Sequence, residues 1–155
     1  MIVLKFGGTS VGNAEGIRRV GSIIRSCLDS DPFVVVSAVG GVTDRLFELR
    51  DLSLGGQLWE ESFEALCAIH RGILSELGLD EGLVDGLLAE LNTLLAELSS
   101  AGECTAKSLD HLVSFGERMS APIVAAHLQA EGLTSQAVDA FDAGMVTDSR
   151  HQRAR

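Results

Sequence analysis

Two short apolar runs, each closed by a pair of glycines, constrain this chain more than any other feature. Ile2-Val3-Leu4-Lys5-Phe6 is β-branched and aromatic-rich, and it stops at Gly7-Gly8. Phe33-Val34-Val35-Val36-Ser37-Ala38 is almost continuously apolar and stops before Gly40-Gly41. Bounded by turn residues, the first run predicts a short strand and the second, continuously apolar, a strand covered on both faces. Between them Ile17, Val20, Ile23, Ile24 and Cys27 recur at helical spacing, behind a Thr9 or Ser10 able to cap the helix. Thr43 opens a further helix after the second pair of glycines. Two strand–turn–helix units in succession predict a parallel sheet layered with helices, an α/β fold.

The middle of the chain is helical throughout. Trp59, Phe63, Leu66, Ile69, Ile73 and Leu77 form one stripe over 57–77, and Val84, Leu88, Leu91, Leu95 and Leu98 form another over 83–98. With only a short break at 78–81, these predict an antiparallel helical hairpin. Five heptad-spaced positions are too few for a free coiled coil, so the stripes are assigned to the core. Leu109, Leu112, Val113 and Met119 mark a third helix. Pro122 ends it, kinks it, or starts a new helix behind Ser120, and the pattern resumes over 123–128 before Gly132 stops it. The segment 134–138 has strand composition, and 141–155 is turn-rich with Arg150, Arg153 and Arg155 near its end.

Composition excludes several classes. The chain has 155 residues, 46% hydrophobic and 22% charged, which suits one globular domain and not a disordered segment. Twelve basic residues against 22 acidic ones give a net charge of −10, which argues against nucleic-acid binding and against a polybasic membrane patch. An anionic substrate must therefore be drawn by a few local positive groups. Cys27, Cys67 and Cys104 are scattered and odd in number, so they read as reduced thiols of a cytoplasmic protein. His70, His111, His127 and His151 share no metal-ligand spacing, and no metal site is expected. No apolar run reaches membrane-spanning length, and Lys5 interrupts the first one.

Three segments carry chemistry. In Lys5-Phe6-Gly7-Gly8-Thr9-Ser10 a lysine and two glycines stand at the C-terminal end of a strand, where open α/β sheets bind ligands. Glycine lets backbone N–H groups approach anionic oxygens, and a following helix N-terminus adds positive potential. The lysine precedes the glycines, so this is not a Walker loop. Ser37-Ala38-Val39-Gly40-Gly41-Val42-Thr43-Asp44 repeats the theme, and adjacent parallel strands would set both turns at one sheet edge as a phosphate cradle. In Ser114-Phe115-Gly116-Glu117-Arg118-Met119-Ser120 a glycine and an acid interrupt an apolar helix, which calls for close packing or ligand approach at Gly116. Glu117 is open to three roles: a partner for a cationic ligand group, a partner for Arg118, or part of a solvated face.

Together, KFGGTSV at 5–11, VVVSAVGGVTD at 34–44 and SFGERMSA at 114–121 resemble the N-terminal part of aspartokinases, within the amino acid kinase family. AVDAFDAGMVTDSRHQRAR at 137–155 is a weaker fourth similarity, with Gln152 where the family pattern leads one to expect glycine. The resemblance implies a three-layer α/β/α fold with a mainly parallel sheet, incomplete here, and with the helical hairpin as an insertion. It implies phosphoryl transfer from ATP, accompanied by Mg²⁺, to the side-chain carboxylate of L-aspartate, giving 4-phospho-L-aspartate, the entry to lysine, threonine and methionine synthesis.

Residue by residue, the resemblance makes Lys5 the catalytic group that neutralises the transferring phosphoryl. It assigns phosphate binding to Lys5, Gly7, Gly8, Thr9, Ser10, Ser37 and Gly41, and aspartate binding to Thr43 and to Glu117, which would hold the α-ammonium. One buried lysine aimed at developing charge would do much of that work. It further implies that 1–155 is the N-terminal portion of a single kinase domain, without its C-terminal half and regulatory ACT domains, so the isolated chain is expected to be inactive. A sheet cut midway exposes an edge and an apolar face, so a homo-oligomer is expected. The alternatives are a non-catalytic binding or assembly module of the same fold, or an amino acid kinase with another acceptor.

Overall fold

The computed structural model describes residues 1–153. Strand β1, Ile2–Phe6, pairs in parallel with β2, Pro32–Val36, with Val3 beside Phe33 and Lys5 beside Val35. Side chains alternate across a strand, so this register gives the two faces different surroundings. Phe6 is buried and Leu4, Val34 and Val36 pack on the core, whereas Val3, Phe33 and Val35 are exposed. The expectation that the strand over 33–38 is covered on both faces is therefore not met among the described residues, since Phe33 and Val35 are exposed. The architecture is helix-rich α/β with a two-stranded parallel sheet, consistent with an incomplete layered fold.

Helix α1, Ala14–Ser26, joins the strands and buries Ile17, Val20 and Ile24. Its cap is Asn13, whose Oδ1 accepts from the Gly16 N–H at 2.8 Å, not Thr9 or Ser10. Those two residues are used by the turn: the Gly7 carbonyl accepts from the N–H groups of Ser10 at 2.9 Å and Val11 at 3.3 Å, so the helix starts later. After β2, α2 spans Val42–Leu54, α3 Glu60–Leu77 and α4 Asp85–Ala101. The expected stripe is the core of α4: Val84, Leu88, Leu91, Leu95 and Leu98 are all buried. Helices α3 and α4 run antiparallel, tied by Arg71 to Asp85 at 3.1 Å and by the Trp59 indole N–H to Asn92 Oδ1 at 3.2 Å. Both pack on α2, where the buried Ser53 hydroxyl donates to the Leu95 carbonyl at 2.7 Å.

Helix α5, Ala106–Ala130, is a single 25-residue element capped by Thr105, and Pro122 lies inside it. Proline removes one ladder hydrogen bond, but Met119 and Ile123 on either side are wholly buried, and packing outweighs the break. The segment 134–138 is not a strand. Ser135 is tethered to α5 on two counts, its hydroxyl donating to the Ala125 carbonyl and its own carbonyl accepting from Gln129 Nε2, both at 2.8 Å. It lines, opposite β2, a cavity of about 440 Å³, with no ladder between them. The remainder is turn-rich and exposed, as expected up to Arg153, while Arg155 lies outside the described residues. Gln152 has φ +63°, a left-handed conformation that favours glycine, and its N–H donates to Asp110 Oδ2 at 3.1 Å.

Two histidines are core residues. His70 Nδ1 lies 2.9 Å from the Leu66 carbonyl and its Nε2 has no partner, while His127 packs beside Gly21 of α1. Burial pushes both imidazoles below their ordinary values. Cys27, Cys67 and Cys104 are unpaired, and no described helix is long and apolar enough to cross a membrane.

Candidate active site

The site is built at the C-terminal ends of the two strands. The Ser37 N–H donates to the Phe6 carbonyl at 2.9 Å, so the ladder persists one step past the strands before the chains turn apart. The turn after β1 then closes on Gly7, which leaves the amides of Gly8 and Thr9 outside its own hydrogen bonds. The turn after β2 closes from the Val42 N–H to the Val39 carbonyl at 3.0 Å, with Gly41 at φ +79°, where a side chain would be strained.

These turns are in backbone contact. Gly8 faces the Ala38 carbonyl and Gly40, and a Cβ on Gly12 would lie 3.0 Å from the Gly8 carbonyl oxygen and 3.8 Å from the Gly40 nitrogen. Behind the first turn, a Cβ on Gly16 would meet the Ser10 carbonyl oxygen at 2.5 Å, so glycine there lets the turn fold back on the first turn of α1. The N-terminus of α2 follows its turn directly and that of α1 follows a few residues after the first turn, and their N–H groups, apart from the Gly16 amide that Asn13 caps, favour an anion.

The third segment reaches this edge from α5. Phe115, Gly116, Met119 and Ser120 are buried, and Glu117 stands beside them on the exposed side. Its Oε1 accepts from the Ala38 N–H at 3.2 Å, across 79 residues of sequence. The close packing expected at Gly116 is supplied by Ala38. Arg118 does not pair with Glu117: it turns to Glu90 at 3.0 Å and Asp139 at 3.2 Å, with its guanidinium 4.8 Å from the centre of the Phe115 ring.

Gly8, Ser37, Gly41 and Glu117 are thus gathered around Ala38 and its two flanking turns. Lys5 enters by strand register, two residues before Gly7, and Thr43 by its place in the first turn of α2. Among the described residues neither of their side chains makes a hydrogen bond or an ion pair with the rest of the site. Lys5, Thr9, Gly41, Thr43 and Glu117 are exposed, and Gly7, Gly8, Ser10 and Ser37 are half-buried. The lysine expected to be buried stands at an open edge, because no described element covers the strand ends there.

Sequence reasoning missed Ala38 as a contact point, and it missed Gly12 and Asn13. The density of glycines over 7–16 was a legible sign of close backbone approach, but Ala38 read only as the end of a strand. Chemically, the edge offers turn amides, two helix N-termini and a lysine to an anion, and one carboxylate to a cation. No group of three or more His, Cys, Asp or Glu among the described residues is arranged to hold a metal.

Known proteins resemble this chain in sequence and in fold. The model of the amino acid kinase family matches residues 1–155. Aspartokinase 2, chloroplastic, of Arabidopsis thaliana is 36% identical over 149 residues, 94% of this chain and 27% of that protein. The aspartokinase of Chlamydia muridarum is 34% identical over 154 residues, 99% of this chain and 33% of that one. Among solved structures, E. coli aspartokinase III in complex with aspartate and ADP superposes with a TM-score of 0.84 at 29% identity, over 99% of this chain and 34% of that one. The chain thus spans about a third or less of these relatives' length.

Proposed function

The chain belongs to the amino acid kinase family, and we propose that it is the phosphate- and amino-group-binding portion of an aspartokinase. In this reading the whole protein transfers the γ-phosphoryl group of ATP to the side-chain carboxylate of L-aspartate, the first step of lysine, threonine and methionine synthesis. One observation carries the reading. The Glu117 carboxylate is bonded to Ala38, at the junction of two glycine turns in mutual contact. In this reading Glu117 is a cation-binding group beside an anion-binding edge, as an amino acid phosphorylated by a nucleotide requires.

The roles follow from chemistry. Phosphoryl transfer is catalysed mainly by positioning and electrostatic stabilisation. Lys5 would neutralise charge on the transferring group. Gly7, Gly8, Thr9, Ser10, Ser37 and Gly41 would offer amide and hydroxyl donors to the phosphates. Thr43 would contact aspartate, and Glu117 would hold its ammonium. Mg²⁺ would enter on the nucleotide's own oxygens, since the described residues offer no ligand cluster for it. We place the protein in the cytoplasm, in keeping with its unpaired thiols.

Turnover needs a water-excluded site, and Lys5, Thr43 and Glu117 are exposed here. The isolated 155 residues should therefore bind without catalysing, as one portion of a kinase domain. ADP formation with ATP, Mg²⁺ and L-aspartate, measured against a no-aspartate control, tests this together with an NMR titration by L-aspartate. We expect no aspartate-dependent ADP, with shifts confined to residues 5–10, 37–43 and 117. Equal shifts from an amine-free dicarboxylate such as succinate would overturn the assignment of Glu117.

An assembly role is the second reading, favoured by the sheet's outer face, where Val3, Phe33 and Val35 are 62%, 47% and 36% exposed. A second copy of this chain would cover that face in a homo-oligomer.

A further inference from the structure

We propose that the contact between Ala38 and Gly116 is a size gate that positions the Glu117 carboxylate, so that both are positioning residues for amino-group recognition. The functional half of this proposal rests on Glu117 being the ammonium partner. The geometric half does not.

Ala38 touches three parts of the site at once. Its N–H donates to Glu117 Oε1 at 3.2 Å, its carbonyl oxygen would lie 2.8 Å from a Cβ on Gly8, and its methyl carbon would lie 2.6 Å from a Cβ on Gly116. Carbon atoms in contact settle near about 3.5–4.0 Å, so no side chain fits at residue 116 while α5 keeps this distance. Nor is there room to slide sideways: Leu46 Cδ1 of α2 lies 3.7 Å from the same point, and Leu46, Phe115 and Met119 are wholly buried. Glycine is disfavoured inside a helix, and here the helix gains a closer approach to the turn after β2.

Glu117 is the next residue along α5, and its bond to Ala38 depends on that approach. A retreat of α5 by about 1 Å would carry 3.2 Å beyond hydrogen-bond range. The gate therefore commits one carboxylate oxygen to Ala38 and leaves the other for a ligand cation. Through its carbonyl the same residue also faces the Gly8 turn. One small residue, through its methyl, its N–H and its carbonyl, thus sets the amino-group site and the phosphate-side turn in a common frame.

A complementary exchange tests the gate on this chain. Gly116→Ala adds a methyl facing Ala38, Ala38→Gly removes the opposing one, and the double variant should restore the fit. The readouts are hydrogen exchange of the residue 38 amide, corrected for intrinsic rates, and the Kd for L-aspartate. Gly116→Ala should raise the exchange rate and the Kd at least tenfold each, and the double variant should recover most of both. Glu117→Gln should keep the amide protected, because an acceptor oxygen remains, while aspartate affinity falls.

An unchanged amide in Gly116→Ala, or no recovery in the double variant, would overturn the gate. Should Gly116→Ala fail to fold, the double variant decides alone by whether folding and protection return. If the amide rates follow the expected pattern but aspartate binds none of these proteins, the gate stands and the aspartate reading fails.

Discussion

Gly8 and Ala38, on turns that follow different strands, approach so closely that a Cβ on residue 8 would lie 2.8 Å from the Ala38 carbonyl oxygen. The opposing atom is backbone and cannot rotate away. Gly8→Ala must therefore part the turns, at a cost of about 1–3 kcal/mol, the range for overpacking a tight site. Urea denaturation of wild type and variant measures it. A change below about 0.5 kcal/mol, the level of an ordinary surface substitution, would mean the turns are not held together in solution.

Lys5 is exposed, so its replacement should leave the fold alone and act on chemistry. In any preparation that forms ADP with aspartate, Lys5→Ala should lower kcat by about a hundredfold or more, as loss of an electrostatic stabiliser does. Its melting temperature should match the wild type. Retained turnover would remove Lys5 from the mechanism.

His70 should make stability depend on pH. Burial holds the folded imidazole below its ordinary value, with the bond to Leu66 opposing in part. The folded chain therefore binds a proton less readily than the unfolded chain. Stability is full above the unfolded histidine pKa of about 6.5 and falls as pH drops below it, until the folded group also titrates. Melting temperatures from pH 7.5 downward should show this fall, less steeply in His70→Leu, with His127 contributing in the same sense. An identical slope in the variant would assign the effect to other groups.

Phe33 is 47% exposed on the outer sheet face, where it neighbours Val3. Light scattering at micromolar concentration should give a dimer or larger species, and Phe33→Lys should shift it toward monomer, since a charge resists burial in an apolar contact. A monodisperse wild-type monomer would count against assembly through this face.

Much of the architecture was legible beforehand because it rests on local pattern. Strand β1, the stripe at Val84, Leu88, Leu91, Leu95 and Leu98, and the glycine turns all follow from spacing and from backbone sterics. The failures occurred where a partner decides the outcome. The segment 134–138 has strand composition, but Ser135 and Gln129 bind it to α5 instead of to β2. Pro122 leaves an end, a kink or a new start open in the sequence, and the buried neighbours Met119 and Ile123 carry α5 through it. Cap residues were misplaced for a related reason: Thr9 and Ser10 have the right chemistry, but the turn uses them first.

For the site itself, the sequence alone determined which residues are present and their order, because motifs of charge, hydroxyl and glycine are local properties of the chain. Only the tertiary structure decided that they meet, through a parallel register that aligns two turns and a helix that brings Glu117 to Ala38. It also decided that Lys5 and Glu117 stand exposed and that Gly116 is needed for its lack of a side chain. Those are matters of distance between segments far apart in the chain, and no local pattern encodes a distance.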